Sequence, residues 1–311
     1  MFSLDLFLKS EEVWLKFIQR MIFLSLNGTG IVGNTLILMK HMHTFVMSPE
    51  KKPIDLILIH LVFSNGVIIC STGVREIATV FYFRNFLGDV GCKIVIYLGR
   101  VARGLSICTT CLLSMVQAIT ISPRTSLWRK LKPQTAWQVL PYLLLFWIFN
   151  SLISSNLLQY ITAVSSMNGS GTEIYMGNCY MLPSRQGVRW LFLSLMALRD
   201  VIFQSLMGWS SGHMAFHLYK HHQRVLYLHS SRLTHNSSPE IRATINTLSL
   251  MTCFLIFYWA DFIFSFYIGS TLRNNFKILN IKTFVVLGYA VFSPLVLISR
   301  DICVAKSWRA R

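Results

Sequence analysis

Charge is what this sequence has least of. Only 13% of its 311 residues are Asp, Glu, Lys or Arg, where a soluble domain carries about 25%. Acids are scarcer still, 12 against 29 bases. Repeats, low-complexity tracts and an appended soluble domain are all missing. So are a Ser-His-Asp set, a glycine-rich phosphate loop, an HExxH motif and a convincing pair of aspartates on neighbouring apolar runs. The absences leave no reaction to assign, so no enzyme and no cofactor is expected. The start of the chain lacks the charged leader, short apolar run and small-residue cleavage site of a signal peptide, and its first apolar run is expected to stay as an anchor.

What is abundant is apolar. Hydrophobic residues make up 53% of the chain, and mean hydropathy is +0.52. Runs long enough to cross a bilayer recur along nearly the whole length. We place seven spans at about residues 17–40, 53–74, 92–121, 135–162, 188–218, 241–270 and 279–304. Each must be helical, because backbone in lipid has to satisfy its own hydrogen bonds. The expected fold is an all-α membrane protein, one seven-transmembrane helix bundle, with short ends at 1–16 and 305–311.

The formal charge of +17 does not point to nucleic acid, since the bases sit in short links between apolar runs rather than on a soluble face. They read as topology signals. Lys40, Lys51 and Lys52 follow span one; Arg124, Arg129, Lys130 and Lys132 follow span three; Lys220, Arg224, Arg232 and Arg242 follow span five. The alternate links are sparser and mixed with acids. By the positive-inside rule the amino terminus is expected outside and the carboxyl tail in the cytosol.

Two features agree with that orientation. Cys92 and Cys179 both fall on the expected outer side, where a disulfide persists, and we pair them; two unpaired buried thiols is the alternative. Asn168-Gly169-Ser170, in the link between spans four and five, is an accessible glycosylation sequon. Cys108 and Cys111 form a CxxC in mid-span with no second ligand pair and read as core, as do Cys70 and Cys253. Cys303 is open to palmitoylation or is a plain interfacial cysteine. His213, His217 and His221 recur every four residues, with His222 beside them. Such spacing suits zinc, but a basic interfacial face is the simpler reading and no metal site is expected.

Span three draws the most attention. Residues 92–121 form a helix of about 45 Å at ~1.5 Å per residue, longer than a hydrocarbon core of roughly 30 Å. It carries Arg100 and Arg103 on one face. Arg199-Asp200 in span five and Asp261 in span six add further charge at depth, which is costly unless it faces protein or water. Interhelical pairing is one reading of this set. A polar pocket that receives a ligand is the other, with Arg100 and Arg103 selecting an anionic or strongly accepting group. Ser293-Pro294 and Pro141 allow kinks whose freed carbonyls neighbouring helices must satisfy.

Seven spans, an outside amino terminus and a disulfide from span three to the next long outer link resemble a G-protein-coupled receptor. Gly33-Asn34 resembles its rhodopsin-like class, but Gln117 stands where that class has the arginine of a DRY triplet. Asn65 stands where it has a sodium-coordinating aspartate, and no NPxxY follows Ser293-Pro294. The departures resemble the vomeronasal type-1 receptor family. The blocks that carry this likeness are GRVARGLSICTTCLLS (99–114), QAITISP (117–123), ALRD (197–200), WSSGHM (209–214), LYKHHQRVLYLHSSRL (218–233), SPEIRAT (238–244), YWADFIFS (258–265) and SPLVLI (293–298). HLVFSN (60–65) differs by Val62, where the family usually has alanine.

That resemblance implies a pheromone receptor of vomeronasal sensory neurons in the plasma membrane, taking a small pheromone-like ligand and an inhibitory-type heterotrimeric G protein. It also implies the Cys92–Cys179 bridge and the glycan at Asn168, but lends no ligand residues. Helix-end residues Gln117, Arg124, Arg129, Lys130, His222, Arg224 and Arg242 are the candidates for the G-protein side. A bitter-taste-type receptor is the nearest alternative, disfavoured by the block at 209–244. A small transporter is disfavoured by the odd span number and the lack of symmetric halves.

Overall fold

The computed structural model describes residues 2–80, 88–121, 132–163, 174–176, 179–181, 185–228, 239–271 and 276–309. In chain order these form α1 (Phe2–Met47), α2 (Pro53–Val80), α3 (Gly88–Ile121), a 3-10 turn (Ala136–Gln138), α4 (Leu140–Ser154) and α5 (Leu157–Tyr160). Strands β1 (Ile161–Ala163), β2 (Ile174–Met176) and β3 (Cys179–Met181) follow, then α6 (Gln186–Leu228), α7 (Pro239–Thr271) and α8 (Phe276–Arg309). Among the described residues seven helical stretches are long and apolar enough to cross a membrane, the fourth running from Ala136 to Tyr160. The protein is a multi-pass seven-helix bundle.

The helices outrun the expected spans. Residues 2–16 are the first turns of α1, and α2 continues to Val80. Arg75 and Glu76, which follow the expected end of span two at residue 74, therefore lie in helix and half-buried. The fourth span is broken instead of continuous. Ser155 donates its hydroxyl to the Leu152 carbonyl at 2.8 Å, and its N–H takes the same carbonyl at 3.2 Å. Such local bonding competes with the α-helical ladder, and a new turn restarts at Leu157.

α3 is the axis of the bundle. Its most apolar window is 67% buried, against 28% for the fourth span and for α7, and residues 101–111 are buried without interruption. The main apolar core runs beside it, through Leu58, Leu61, Ile107, Leu113, Phe254 and Leu287. At one end, β1–β3–β2 form a small antiparallel sheet with β3 central, pairing Ala163 with Cys179 on one side and Met176 with Cys179 on the other. Cys179 is bonded to Cys92 at the start of α3, with Cα atoms 5.7 Å apart and 87 residues between them in sequence. Ile96, Leu157 and Ile161 close around that bridge. Cys108 and Cys111 are buried thiols, but Cys70 is exposed on α2 and Cys253 only half-buried, so those two do not belong to the core.

Candidate functional site

A polar stripe runs along α3 from Arg100 to Gln117. Arg100, Arg103, Ser106, Thr110, Ser114 and Gln117 follow one another at three- and four-residue steps, which keeps them on one face. Each layer meets its own combination of helices.

Nearest the disulfide are the charges. Arg103 is about 16 Å along the axis from Cys92 at ~1.5 Å per residue. Its Nε donates to Asp261 Oδ2 on α7, and its Nη2 donates to Asp200 Oδ2 on α6 at 2.9 Å. Arg199 donates Nε and Nη2 to the other oxygen of Asp200, at 2.9 and 2.6 Å. Its Nη1 reaches Asn150 Oδ1 on α4 at 2.8 Å. Ser265 donates to Asp261 Oδ1 at 3.2 Å. Two guanidinium groups and two carboxylates thus close a neutral network across α3, α4, α6 and α7. Burial of such groups is tolerable because every charge is paired and further hydrogen-bonded.

The network needs room on α3, and Gly104 supplies it. A Cβ at this position would collide with Asn150 Oδ1 and Arg199 Nη1. The Arg-Gly pair within GRVARGLS therefore has a steric meaning: the arginine crosses to α6 and α7 while the glycine admits the second arginine.

Two cations stand next to the closed network. Arg100, one turn toward the disulfide from Arg103, is half-buried. It makes no hydrogen bond or ion pair among the described residues. Lys282 on α8 is half-buried too and lies within electrostatic reach of Asp261, Arg103 and Arg100. Arg75 of α2 also acts on Lys282 and is offset by its neighbour Glu76, so Arg100, Arg103, Arg199 and Lys282 stand against Asp200 and Asp261 with an excess of positive charge at this level.

The next layer is uncharged. Ser106 donates to Asn65 Oδ1 at 2.8 Å, leaving its two lone pairs for the phenols of Tyr258 at 3.0 Å and Tyr289 at 2.6 Å. Asn65 Nδ2 donates onward to Ser293 at 2.9 Å. α2, α3, α7 and α8 are joined here. Tyr258 lies one turn from Asp261, so the charged and hydroxyl layers stack on both α3 and α7. Further along, Ser210 of α6 stands 2.8 Å from Ser114. The stripe ends at Gln117, whose Oε1 is buried with no hydrogen-bond partner among the described residues.

Of the site residues expected from sequence, Arg103, Arg199, Asp200 and Asp261 come together, and Arg100 adjoins them. His222, Arg224 and Arg242 fall on the backbone of α6 and α7. Asn168, Arg124, Arg129 and Lys130 lie outside the described residues. Sequence reasoning missed Asn150, Gly104 and Lys282. For Lys282 the signal was present, a lysine near the start of the last apolar run.

Seven membrane-spanning helices around a central third, bridged from its first turns to the sheet after the fourth span, define the G-protein-coupled receptor architecture. Residues 17–310 match the vomeronasal organ pheromone receptor family. Relatives include vomeronasal type-1 receptor 4 of Homo sapiens, 32% identical over 278 residues, covering 89% of this chain and 92% of that protein. Vomeronasal type-1 receptor 90 of Rattus norvegicus is 34% identical over 279 residues, 89% of each chain. Vomeronasal type-1 receptor 2 of Homo sapiens is 31% identical over 272 residues, 88% of this chain and 69% of that one. The chain belongs to the vomeronasal type-1 receptor family, a family of receptors and not of enzymes.

Proposed function

We propose that this protein is a pheromone receptor of the plasma membrane of vomeronasal sensory neurons. It takes a small ligand from outside and activates an inhibitory-type heterotrimeric G protein in the cytosol. In this reading the chain is a single seven-helix domain, the disulfide end faces outward, Asn168 carries a glycan and the tail is cytoplasmic. The observation that carries it is the α3 stripe, where a charged layer with surplus positive charge sits about 12–16 Å below Cys92 and directly over a hydroxyl layer that ties four helices.

Arg103 already holds two carboxylates, so the ligand's anionic or accepting group falls to Arg100 and Lys282. Arg103, Arg199, Asp200 and Asp261 position them. A ligand acts only through unequal affinity for two helix arrangements. An anion drawn to Lys282 and Arg100 changes the field at Asp261, and α7 passes the change one turn on to Tyr258. Separation at the far end then opens a groove for a helix of the G protein, lined by Gln117, Arg124, Arg129, Lys130, His222, Arg224 and Arg242.

The test is a ligand panel on cells expressing the full chain, read as G-protein activation, with epitope tags on both termini. Activation, an amino-terminal tag labelled on intact cells and a carboxyl-terminal tag labelled only after permeabilisation are expected. Substrate flux with no G-protein response, or the reverse tag pattern, would overturn the reading.

A further inference from the structure

Far along α6, two imidazoles converge. His213 and His217 are both half-buried, and their Nε2 atoms stand 3.2 Å apart. As the rings stand, one Nε2 carries a hydrogen and the other accepts it. The same separation suits a metal. Zinc–imidazole bonds are ≈ 2.0–2.1 Å long, and two of them at a tetrahedral angle hold their nitrogens about 3.3 Å apart. The ring centroids are 4.4 Å apart with planes at 62°, closer than the roughly 5 Å of two imidazoles sharing one tetrahedral metal, so binding takes a tautomer shift from Nε2 to Nδ1 and a turn of the rings that aims both lone pairs at the cation.

We propose that His213 and His217 form a two-histidine site for a divalent transition metal of the Zn²⁺ class at this end of α6. The spacing of four residues along a regular helix places the donors without any loop having to close. Imidazole favours Zn²⁺, Cu²⁺ and Ni²⁺ over Mg²⁺ and Ca²⁺. Trp209 packs against the His213 ring at 5.9 Å and Phe216 against His217 at 6.1 Å, which limits the rotamers each ring has to lose. Among the described residues no third His, Cys, Asp or Glu completes the set. With two protein donors the remaining positions fall to water, and the site as proposed is an exchangeable one. The absence of a glutamate between the histidines removes the general base of a hydrolytic HExxH site. Lys220, one turn on, acts electrostatically on His217 and opposes the cation. A bound metal ties successive turns of α6 together, so occupancy stiffens the helix.

The full chain, carrying no polyhistidine tag and held in lipid nanodiscs, is titrated with Cu²⁺ and followed by electron paramagnetic resonance. The wild type is expected to show two equivalent nitrogen couplings in its tightest site, and Zn²⁺ to displace the Cu²⁺. His217→Gln and His213→Gln should each weaken that site at least tenfold and leave one coupling, while Lys220→Gln tightens it. Zn²⁺ should raise the thermal midpoint of the wild type and leave that of His217→Gln unmoved. Cu²⁺ uptake that is the same in wild type and both glutamine variants would overturn the proposal, as would a wild-type signal with no nitrogen pair or failure of Zn²⁺ to compete. None of these readouts involves the pheromone ligand or the G protein.

Discussion

Asn34 on α1 donates its Nδ2 hydrogen to the carbonyl of Ala290 on α8 across 2.9 Å. That carbonyl lies four residues before Pro294, which has no N–H to offer it. Ser293 reaches the same oxygen with its hydroxyl at 3.5 Å, a marginal bond. Asn34 therefore repairs from outside the gap that the proline opens, and fixes the α1–α8 contact at that height.

Asn34→Leu should lower stability by about 0.6–2 kcal/mol, the range for interhelical polar bonds in membranes. Pro294→Ala returns an intrahelical donor to Ala290, so Asn34→Leu should cost less in that background. Thermal inactivation of the four members of the double-mutant cycle, in one detergent, measures the coupling. Strict additivity would show that the two residues do not share this carbonyl.

The charged layer makes a harsher prediction. Arg103→Gln leaves Asp200 with Arg199 alone and Asp261 with no cation bonded to it, and breaking one partner out of a buried pair costs about 3–5 kcal/mol. The folded fraction on size-exclusion chromatography should collapse. Adding Asp261→Asn removes the stranded carboxylate and should recover part of it. If the double variant were no better than Arg103→Gln, the ion pair would not be what holds α3 to α7.

Gly104→Ala tests the steric half of the same layer. The added methyl has no free volume between Asn150 and Arg199, and overpacking in a tight site costs about 1–3 kcal/mol before any hydrogen bond is lost. Gly66, also in a helix, has nothing within 4 Å of a built Cβ. Gly66→Ala should be neutral or stabilising by up to ~1 kcal/mol on helix propensity. Equal melting points for the two alanine variants would remove the role given to Gly104.

The limits of sequence reasoning follow from the same residues. Seven spans were legible because lipid forces apolar runs into helices, and Arg103, Arg199, Asp200 and Asp261 stood out because charge in such runs is rare. Their pairing was not legible. Arg103 lies 97 residues from Asp200 and 158 from Asp261, and helix periodicity says which face a residue occupies but not which helix opposes it. Asn150 looked like any polar residue in an apolar run, and Gly104 acquires its meaning only from two side chains on other helices. The sheet around Cys179 has strands of three residues each, too short for an alternating pattern to register.

Arg100 and Lys282 supply the last prediction, which bears on ligand class. A charge pair at 4 Å with an effective dielectric near 20 is worth about 4 kcal/mol, and desolvation of ligand and side chain returns much of that. A loss of roughly 10–100-fold in potency, about 1.4–2.7 kcal/mol, is the expected remainder for an anionic agonist on Arg100→Gln. Arg100→Lys keeps the charge but loses the planar donor fork, and should sit between wild type and Arg100→Gln. Lys282→Gln should act in the same direction, and the double variant should lose less than the product of the two, since both cations would serve one anion. A neutral agonist of similar shape is the control, because neither charge attracts it. Dose–response curves for both agonists, normalised to surface labelling, separate lost affinity from lost receptor. Equal losses for the anionic and neutral agonists would mean that these cations hold the helices and not the ligand.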